Sequence, residues 1–250
     1  MFKEGDVFLE LKNKVAFVTG GGRGIGRETC ILLAKQGAKV AVFSNNQSEG
    51  EETARFIITE LGGEAVSVAG DVRNEEDVTS AVQGAQKLGS SVDILINNAG
   101  VMLLKPFHET TVEEWDFVQD VNVRGGFLCA RAVVPQMREK QDGVIINLSS
   151  IWGTKGGPDR SAYIASKYAV IGFSKALGEE LKPYKIRVNA VCPGPVDTKM
   201  MEELAPDVNK ENWLRPIDLA NVIVDLCLPK SKAVTATAIE AFGNGRPVNL

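Results

Sequence analysis

Tyr163 and Lys167 stand four residues apart in a stretch, 161 to 182, patterned as an amphipathic helix, so both side chains project from one face and can act on one ligand. A free phenol ionises near pH ~10, too high for a proton acceptor at neutral pH, but an ammonium a few ångströms away stabilises the phenolate and lowers that value. The chemistry this implies is movement of a proton to or from an oxygen. Such a pair also arises by chance on solvated helices. Two features set this one apart. Tyr163 is the only one of the three tyrosines with a lysine four residues on, and it lies downstream of a β-branched run that ends in Asn147-Leu148-Ser149-Ser150. In an open parallel sheet the carboxyl ends of the strands are where ligands bind.

A second constellation is Thr19-Gly20-Gly21-Gly22-Arg23-Gly24-Ile25-Gly26, which joins a strand pattern directly to a helical one. Glycines there let backbone approach a ligand closely, and the amides of a helix N-terminus can hold a pyrophosphate. The spacing G-x-G-x-x-G fails, because Ile25 stands where its last glycine would be. G-x-x-x-G-x-G fits, at Gly20, Gly24 and Gly26. Tight strand-to-helix turns need glycine for steric reasons too, so the turn gains meaning only from its surroundings.

The elements that must position these groups follow from hydrophobic periodicity. Short apolar runs begin at Val15, Val40, Ala65, Ile94, Val144 and Ile186, and amphipathic stretches such as 24 to 36, 75 to 87 and 161 to 182 separate them. Near-continuous apolar strands are buried on both faces, which predicts a parallel sheet with right-handed helical crossovers. The fold class is therefore α/β, a single doubly wound parallel sheet of Rossmann type with helices on both faces. No repeat, low-complexity tract or linker divides the chain, which predicts one domain over residues 1–250. Its last part reads as a helix at about 216 to 228, a strand at about 233 to 239 and a Gly/Pro tail.

Composition narrows the function classes. The net charge of −4 and the absence of a basic stripe argue against nucleic acid as a partner. No run approaches the roughly 18 apolar residues a spanning helix needs, and residues 1–6 mix charges before any apolar run, so the expectation is a cytoplasmic protein without a membrane partner. Cys30, Cys129, Cys192 and Cys227 lie far apart in apolar segments, which suits buried, reduced thiols rather than zinc ligands or a redox dithiol, and no metal is expected. His108 is the only histidine and reads as part of a loop leading to a helix, a poor setting for a Ser-His-Asp triad.

Taken together, these residues resemble the short-chain dehydrogenase/reductase family, from about Leu11 to the region of Gly243. The resemblance implies a nicotinamide-dependent enzyme. Gly20, Gly22, Arg23, Gly24, Ile25 and Gly26 match that family's cofactor turn, and Asp71 and Val72 its adenine-contacting pair. The segment Asn97-Asn98-Ala99-Gly100 matches the stretch that stabilises the central sheet and lines the cofactor. Asn122, Ser150, Tyr163 and Lys167 match its catalytic tetrad. Ser150 is preferred to Ser149 because it lies thirteen residues before the tyrosine, as in the family. In Cys192-Pro193-Gly194-Pro195-Val196-Asp197-Thr198, the positions of Val196 and Thr198 would meet the nicotinamide carboxamide. Ser150 is then expected to hydrogen-bond a substrate carbonyl and Tyr163 to protonate it. Lys167 is expected to depress the tyrosine pKa and to bind the nicotinamide ribose, and Asn122 to interrupt its helix and hold a water that links Lys167 to solvent.

An NAD site commonly carries an acid near the end of the second strand to accept from the ribose 2′-hydroxyl. Here that place reads Phe43-Ser44-Asn45-Asn46, with Arg23 across the glycine turn as a source of positive charge. NADP(H) is accordingly favoured over NAD(H). Met200, Met201, Leu204 and Trp213 fall in a short lid at about 198 to 215, which points to a ketone or secondary alcohol with a hydrophobic part as the small-molecule partner. The ending Ala241-Phe242-Gly243-Asn244-Gly245 differs from the Asp-Gly-Gly usual in many relatives, so a general carbonyl reductase or alcohol dehydrogenase is expected rather than a 3-oxoacyl reductase. The alternatives are an NAD-dependent alcohol dehydrogenase of the same family, a dinucleotide-binding protein without catalysis, and an epimerase. The resemblance also implies a homo-oligomer, a dimer or tetramer built on the long helices around 111 to 138 and 161 to 182.

Overall fold

The computed structural model describes residues 9–204, 206–207 and 209–243. The charged opening at 1–6 and Asn244 and Gly245 of the tail lie outside the described residues. Strands β1 (Val15–Thr19), β2 (Lys39–Ser44), β3 (Ala65–Ala69), β4 (Ile94–Asn97), β5 (Gly143–Leu148), β6 (Ile186–Pro193) and β7 (Thr237–Ala241) form one parallel sheet in the order β3-β2-β1-β4-β5-β6-β7. The order reverses between β1 and β4, where a doubly wound sheet opens a crevice at its carboxyl edge. The connecting helices are α1 (Gly24–Lys35), α2 (Gln47–Leu61), α3 (Glu75–Gln86), α4 (Val112–Gln119), α5 (Gly125–Lys140), α6 (Ser161–Leu181), α7 (Lys199–Leu204) and α8 (Pro216–Cys227).

Side chains alternate across a strand, and the sheet uses this to fill two cores. Ala16, Val18, Val40, Val42, Ile94, Ile96, Val144 and Ile146 pack on one face with Leu33 of α1 and Leu219 and Ile223 of α8. Val15, Phe17, Ala41, Phe43, Leu95 and Ile145 pack on the other with Val78 of α3 and Val133 and Met137 of α5. The expectation of burial on both faces holds for the central strands. The edge strands β3 and β7 are only half-buried, because each has a strand neighbour on one side alone.

Two sequence expectations are corrected. The last strand starts at Thr237 rather than near 233, because Ala236 takes a left-handed conformation (φ 57°). Its N–H is donated to Val188 O, so residues 233–236 bend across the end of β6 before the chain joins the sheet. The long helix at 111 to 138 is in fact α4 and α5 joined by a π-helical turn, Asp120–Arg124, that contains Asn122. Such a turn inserts one residue into the helical ladder, which is the interruption foreseen at Asn122.

Small polar residues tie α6 to the sheet. Asn97 Nδ2 donates to Asn147 Oδ1 (2.8 Å), Asn147 Nδ2 to Ser174 Oγ (2.9 Å), and Ser174 Oγ to Val170 O (2.7 Å), a buried chain from β4 through β5 into the helix. The buried face of α6 carries Ala162, Ser166, Val170, Ser174 and Gly178 at four-residue intervals, small enough for the helix to lie close to the strands. The four cysteines are free and buried, and burial pushes the Cys129 and Cys227 thiols up to about 12.

Candidate active site

A groove of about 450 Å³ runs along the carboxyl edge of the sheet. Gly20 and Gly24 enter it with positive φ (63° and 55°), a conformation that disfavours side chains. Gly26 stands behind the turn, where an added Cβ would collide with Gly20 O, so the glycine lets α1 seat against β1. Arg23 occupies the N-cap of α1 but makes no side-chain capping bond. By contrast, Asn46, Asn74 and Thr111 each accept from first-turn amides of α2, α3 and α4. The first-turn N–H groups of α1 therefore receive no acceptor from the cap side chain, which suits an anion such as a pyrophosphate.

Asn98 staples this turn to the end of β4. Its Nδ2 donates to Thr19 O (3.0 Å) and Gly20 O (3.1 Å), while Thr19 Oγ1 accepts from the amides of Asn98 and Ala99 (both 3.0 Å). At the end of β3, Arg73 grips the Asp71 carboxylate through Nε (2.9 Å), Nη2 (2.6 Å) and its own amide (2.9 Å), which holds that carboxyl below its usual range.

The ends of β5 and α6 meet at the far side of the groove. Ser150 caps the short 3-10 turn Ile151–Gly153, its Oγ accepting from Trp152 N (3.2 Å), and its hydroxyl hydrogen-bonds the Tyr163 phenol. Ser149, its rival in sequence, donates instead to Lys167 O (2.8 Å) and is committed to holding α6. Lys167 is buried, donates from Nζ to Leu148 O (2.9 Å), and lies 5.5 Å from the centre of the Tyr163 ring. Asn122, also buried, exchanges hydrogen bonds with the backbone of Val101 (2.8 and 2.9 Å) and donates to Ser166 Oγ (2.9 Å), so both of its amide hydrogens are used. A Cβ on Gly100 would sit 3.3 Å from Asn122 Oδ1 and 3.4 Å from Lys167 Nζ, so this glycine keeps open the space between them.

Burial pushes the Tyr163 phenol up, with a hydrogen bond to Ser150 acting against it. Burial also brings the Lys167 ammonium down to about 8, against a smaller opposing effect of Cys192. Lys167 is buried where α6 packs against the sheet, while Tyr163 is half-buried in the groove wall.

Of the residues singled out in the sequence, Gly20, Gly22, Arg23, Gly24, Ile25, Ser44, Asn45, Asp71, Val72, Asn98, Ala99 and Gly100 line the groove, as do Ser150, Tyr163, Lys167, Pro193, Gly194, Val196 and Thr198. Gly26 does not, being behind the turn, and Asn122 lines a small neighbouring cavity with Asn97 and Asn147. Within the expected lid, Met200, Met201 and Trp213 reach the groove and Leu204 does not. The lid is braced by a bridge between Val196 and Leu214 and by Lys210, which pairs with Asp197 (2.6 Å) and Glu202 (3.1 Å). His108 is exposed and lies outside the groove.

Sequence reasoning missed Met102, Phe117 and Trp152 in the groove wall, and it missed Glu49. An acid was sought at the end of β2 and none stands there. The groove nevertheless contains one, from the first turn of α2, with Glu49 Oε1 lying 3.8 Å from Arg23 Nη1. An N-terminal helical position is where acids are common for capping reasons, so nothing in the linear pattern marked it.

A family model described as short chain dehydrogenase matches residues 14–209. A cyclopentanol dehydrogenase of Comamonas testosteroni is 42% identical over 194 residues, covering 78% of this chain and 77% of that protein. A 3-oxoacyl-(acyl-carrier-protein) reductase of Staphylococcus epidermidis is 35% identical over 243 residues, 92% of this chain and 98% of the other. Among solved structures, that of a levodione reductase superposes with a TM-score of 0.88 at 29% identity, over 93% of this chain and 97% of that one.

Proposed function

The chain belongs to the short-chain dehydrogenase family, oxidoreductases that act on alcohols and ketones with a nicotinamide dinucleotide, and from that premise we propose that it moves hydride between NADP(H) and a small apolar ketone or secondary alcohol, with Tyr163 as general acid and base. The observation that carries this reading is the convergence of the hydrogen-bonded Ser150 and Tyr163 hydroxyls and the buried Lys167 ammonium on one wall of the groove.

The bound nicotinamide supplies the hydride. In reduction, Ser150 donates a hydrogen bond to the substrate carbonyl oxygen and the Tyr163 phenol passes its proton to that oxygen. In oxidation, the phenolate takes the proton of the alcohol. The Lys167 ammonium, one helical turn away, would favour the phenolate that oxidation requires. Asn122 positions rather than reacts. It ties Val101 to Ser166 and so holds α6 at a fixed distance from the end of β4. The uncapped start of α1 would hold the pyrophosphate and Asp71 and Val72 the adenine. Ala99, Gly100, Pro193, Gly194, Val196 and Thr198 would enclose the nicotinamide half, with Lys167 bonded to its ribose.

Arg23, Ser44 and Asn45 support NADP(H) as the preferred dinucleotide. A second reading, NAD(H), is favoured by the pairing of Arg23 with Glu49. Comparison of kcat/KM with NADPH and NADH decides between them, and a clear NADH preference overturns the first. Met102, Trp152, Met201 and Trp213 in the wall support an apolar substrate, as does the Comamonas relative's being a cyclopentanol dehydrogenase. The same reading takes residues 1–250 as one cytoplasmic domain that assembles with copies of itself, supported by the exposed Phe127 on α5 and Tyr168 on α6.

Tyr163→Phe tests the assignment. It is expected to lower kcat by about 10³ or more while the NADPH dissociation constant, followed by nucleotide fluorescence, stays within about twofold. Activity within tenfold of the parent removes Tyr163 from its role.

A further inference from the structure

We infer that Glu49, through its ion pair with Arg23, sets how strongly the dinucleotide groove discriminates a ribose 2′-phosphate from a ribose 2′-hydroxyl. The inference rests on the dinucleotide reading above and assigns a determinant to it.

Three observations carry it. The first is contact. A Cβ on Gly22 would lie 2.8 Å from Glu49 Cβ and 3.0 Å from Ser44 Oγ, so the glycine turn, the end of β2 and the first turn of α2 are pressed together. Glu49, Arg23 and Ser44 thus line the same stretch of the groove.

The second concerns what the carboxylate does for its own helix. Glu49 stands three residues after the N-cap Asn46, where a glutamate ordinarily reaches back to the cap amide. Glu114 does this in α4, accepting from Thr111 N (2.9 Å). In α2 the corresponding amide, Asn46 N, donates to Ser44 Oγ instead (3.1 Å). The capping use of the Glu49 carboxylate is pre-empted by the end of β2, and the carboxylate lies against Arg23.

The third is the looseness of that pair. At 3.8 Å, with side chains 50% and 28% exposed, Arg23 and Glu49 attract each other without a direct hydrogen bond. The guanidinium keeps donors for a phosphate and the carboxylate keeps lone pairs for a hydroxyl. Arg73 and Asp71, also in the groove wall, pair directly, with Nε and Nη2 both donating to Oδ2, and leave the choice to Arg23 and Glu49. A 2′-phosphate gains from Arg23 and is repelled by Glu49. A 2′-hydroxyl can donate to Glu49 and meets no repulsion. The opposed charges compress the NADP(H) preference that Arg23, Ser44 and Asn45 would otherwise give.

The test measures dissociation constants for NADPH and NADH by nucleotide fluorescence at fixed ionic strength in the parent, Glu49→Gln and Arg23→Gln proteins. Glu49→Gln keeps the side chain's size and removes its charge. It is expected to tighten NADPH by about five- to tenfold and to leave NADH unchanged or weaker. Arg23→Gln is expected to weaken NADPH by a similar factor and move the ratio the other way. A Glu49→Gln protein with a native circular dichroism spectrum and a NADPH:NADH ratio within twofold of the parent overturns the inference. Should Glu49→Gln not fold, Glu49→Ala and the opposite shift in Arg23→Gln decide it by the same ratio. A parent protein that binds neither dinucleotide overturns the underlying reading as well, which separates the two failures.

Discussion

The two ends of the groove are built differently. Where β5 meets α6, the polar side chains are held by other groups at hydrogen-bond distance. Ser149 is spent on Lys167 O, Lys167 on Leu148 O, Asn122 on Val101 and Ser166, and Ser150 on Tyr163 and Trp152 N. Where β1 and β2 meet α2, the charged groups Arg23 and Glu49 are partly solvated and only loosely paired. Burial moves the pKa values of Tyr163 and Lys167, whereas water screens the other end. Under the proposed function the two ends would meet different needs: proton transfer favours reacting groups held in place, and discrimination of a ligand charge needs only a field that one side chain can retune.

The sharpest way to break this comparison is within the adjacent serines. Ser150→Ala is expected to reduce kcat by about 10²–10³ with KM for the ketone changed less, because the lost hydrogen bond strengthens as charge develops on the oxygen. Ser149→Ala should keep kcat within about threefold and lose about 1 kcal/mol of stability in urea unfolding. Equal losses in the two variants would show that the buried end does not separate reacting from holding groups.

Lys167→Met probes the cost of dryness. Turnover is expected to fall by about a hundredfold. Stability should respond to pH with a definite sign. The folded-state pKa of Lys167 is lowered from its ordinary 10.5 to about 8, so between those values the unfolded chain binds more protons than the folded one, and this lysine's contribution to stability rises with pH across that window. From pH ~7.5 to ~9.5 the parent should therefore gain about 1–2 kcal/mol relative to Lys167→Met in paired urea titrations. A flat difference would mean the ammonium is not desolvated.

The smallest effect sharpens the contrast by salt. Raising ionic strength from about 0.05 to about 0.5 M should weaken NADPH binding by about two- to fourfold, through Arg23, while the midpoint of the pH–kcat profile moves by less than about 0.2. A profile that shifts as much as the binding does would place both ends in the same dielectric surroundings.

How much of this was legible in the chain depended on the range of the interaction. Tyr163 and Lys167 could be paired because four residues on a helix is a local geometry. Gly20, Gly24 and Gly26 could be read because positive φ and close packing forbid most other residues there. The interruption at Asn122 was legible only through the family resemblance, and its bonds to Val101 and Ser166 were not, since they join the loop after β4, the π-turn and α6. The left-handed bend at Ala236 displaced the start of the last strand because an alanine carries no signal for that conformation. Trp152 and Met102 entered the groove wall through loops whose course no periodicity reports.

The sequence by itself determined the doubly wound sheet, the glycine turn and the placing of Tyr163 and Lys167 on one helix face, because strand alternation, helical spacing and the steric needs of glycine act over a few residues. Only the tertiary structure decided that burial would push the Tyr163 phenol up and the Lys167 ammonium down, and that Glu49 would face Arg23 rather than cap its own helix. Both outcomes depend on how much water remains between elements far apart in the chain, and that is fixed by packing alone.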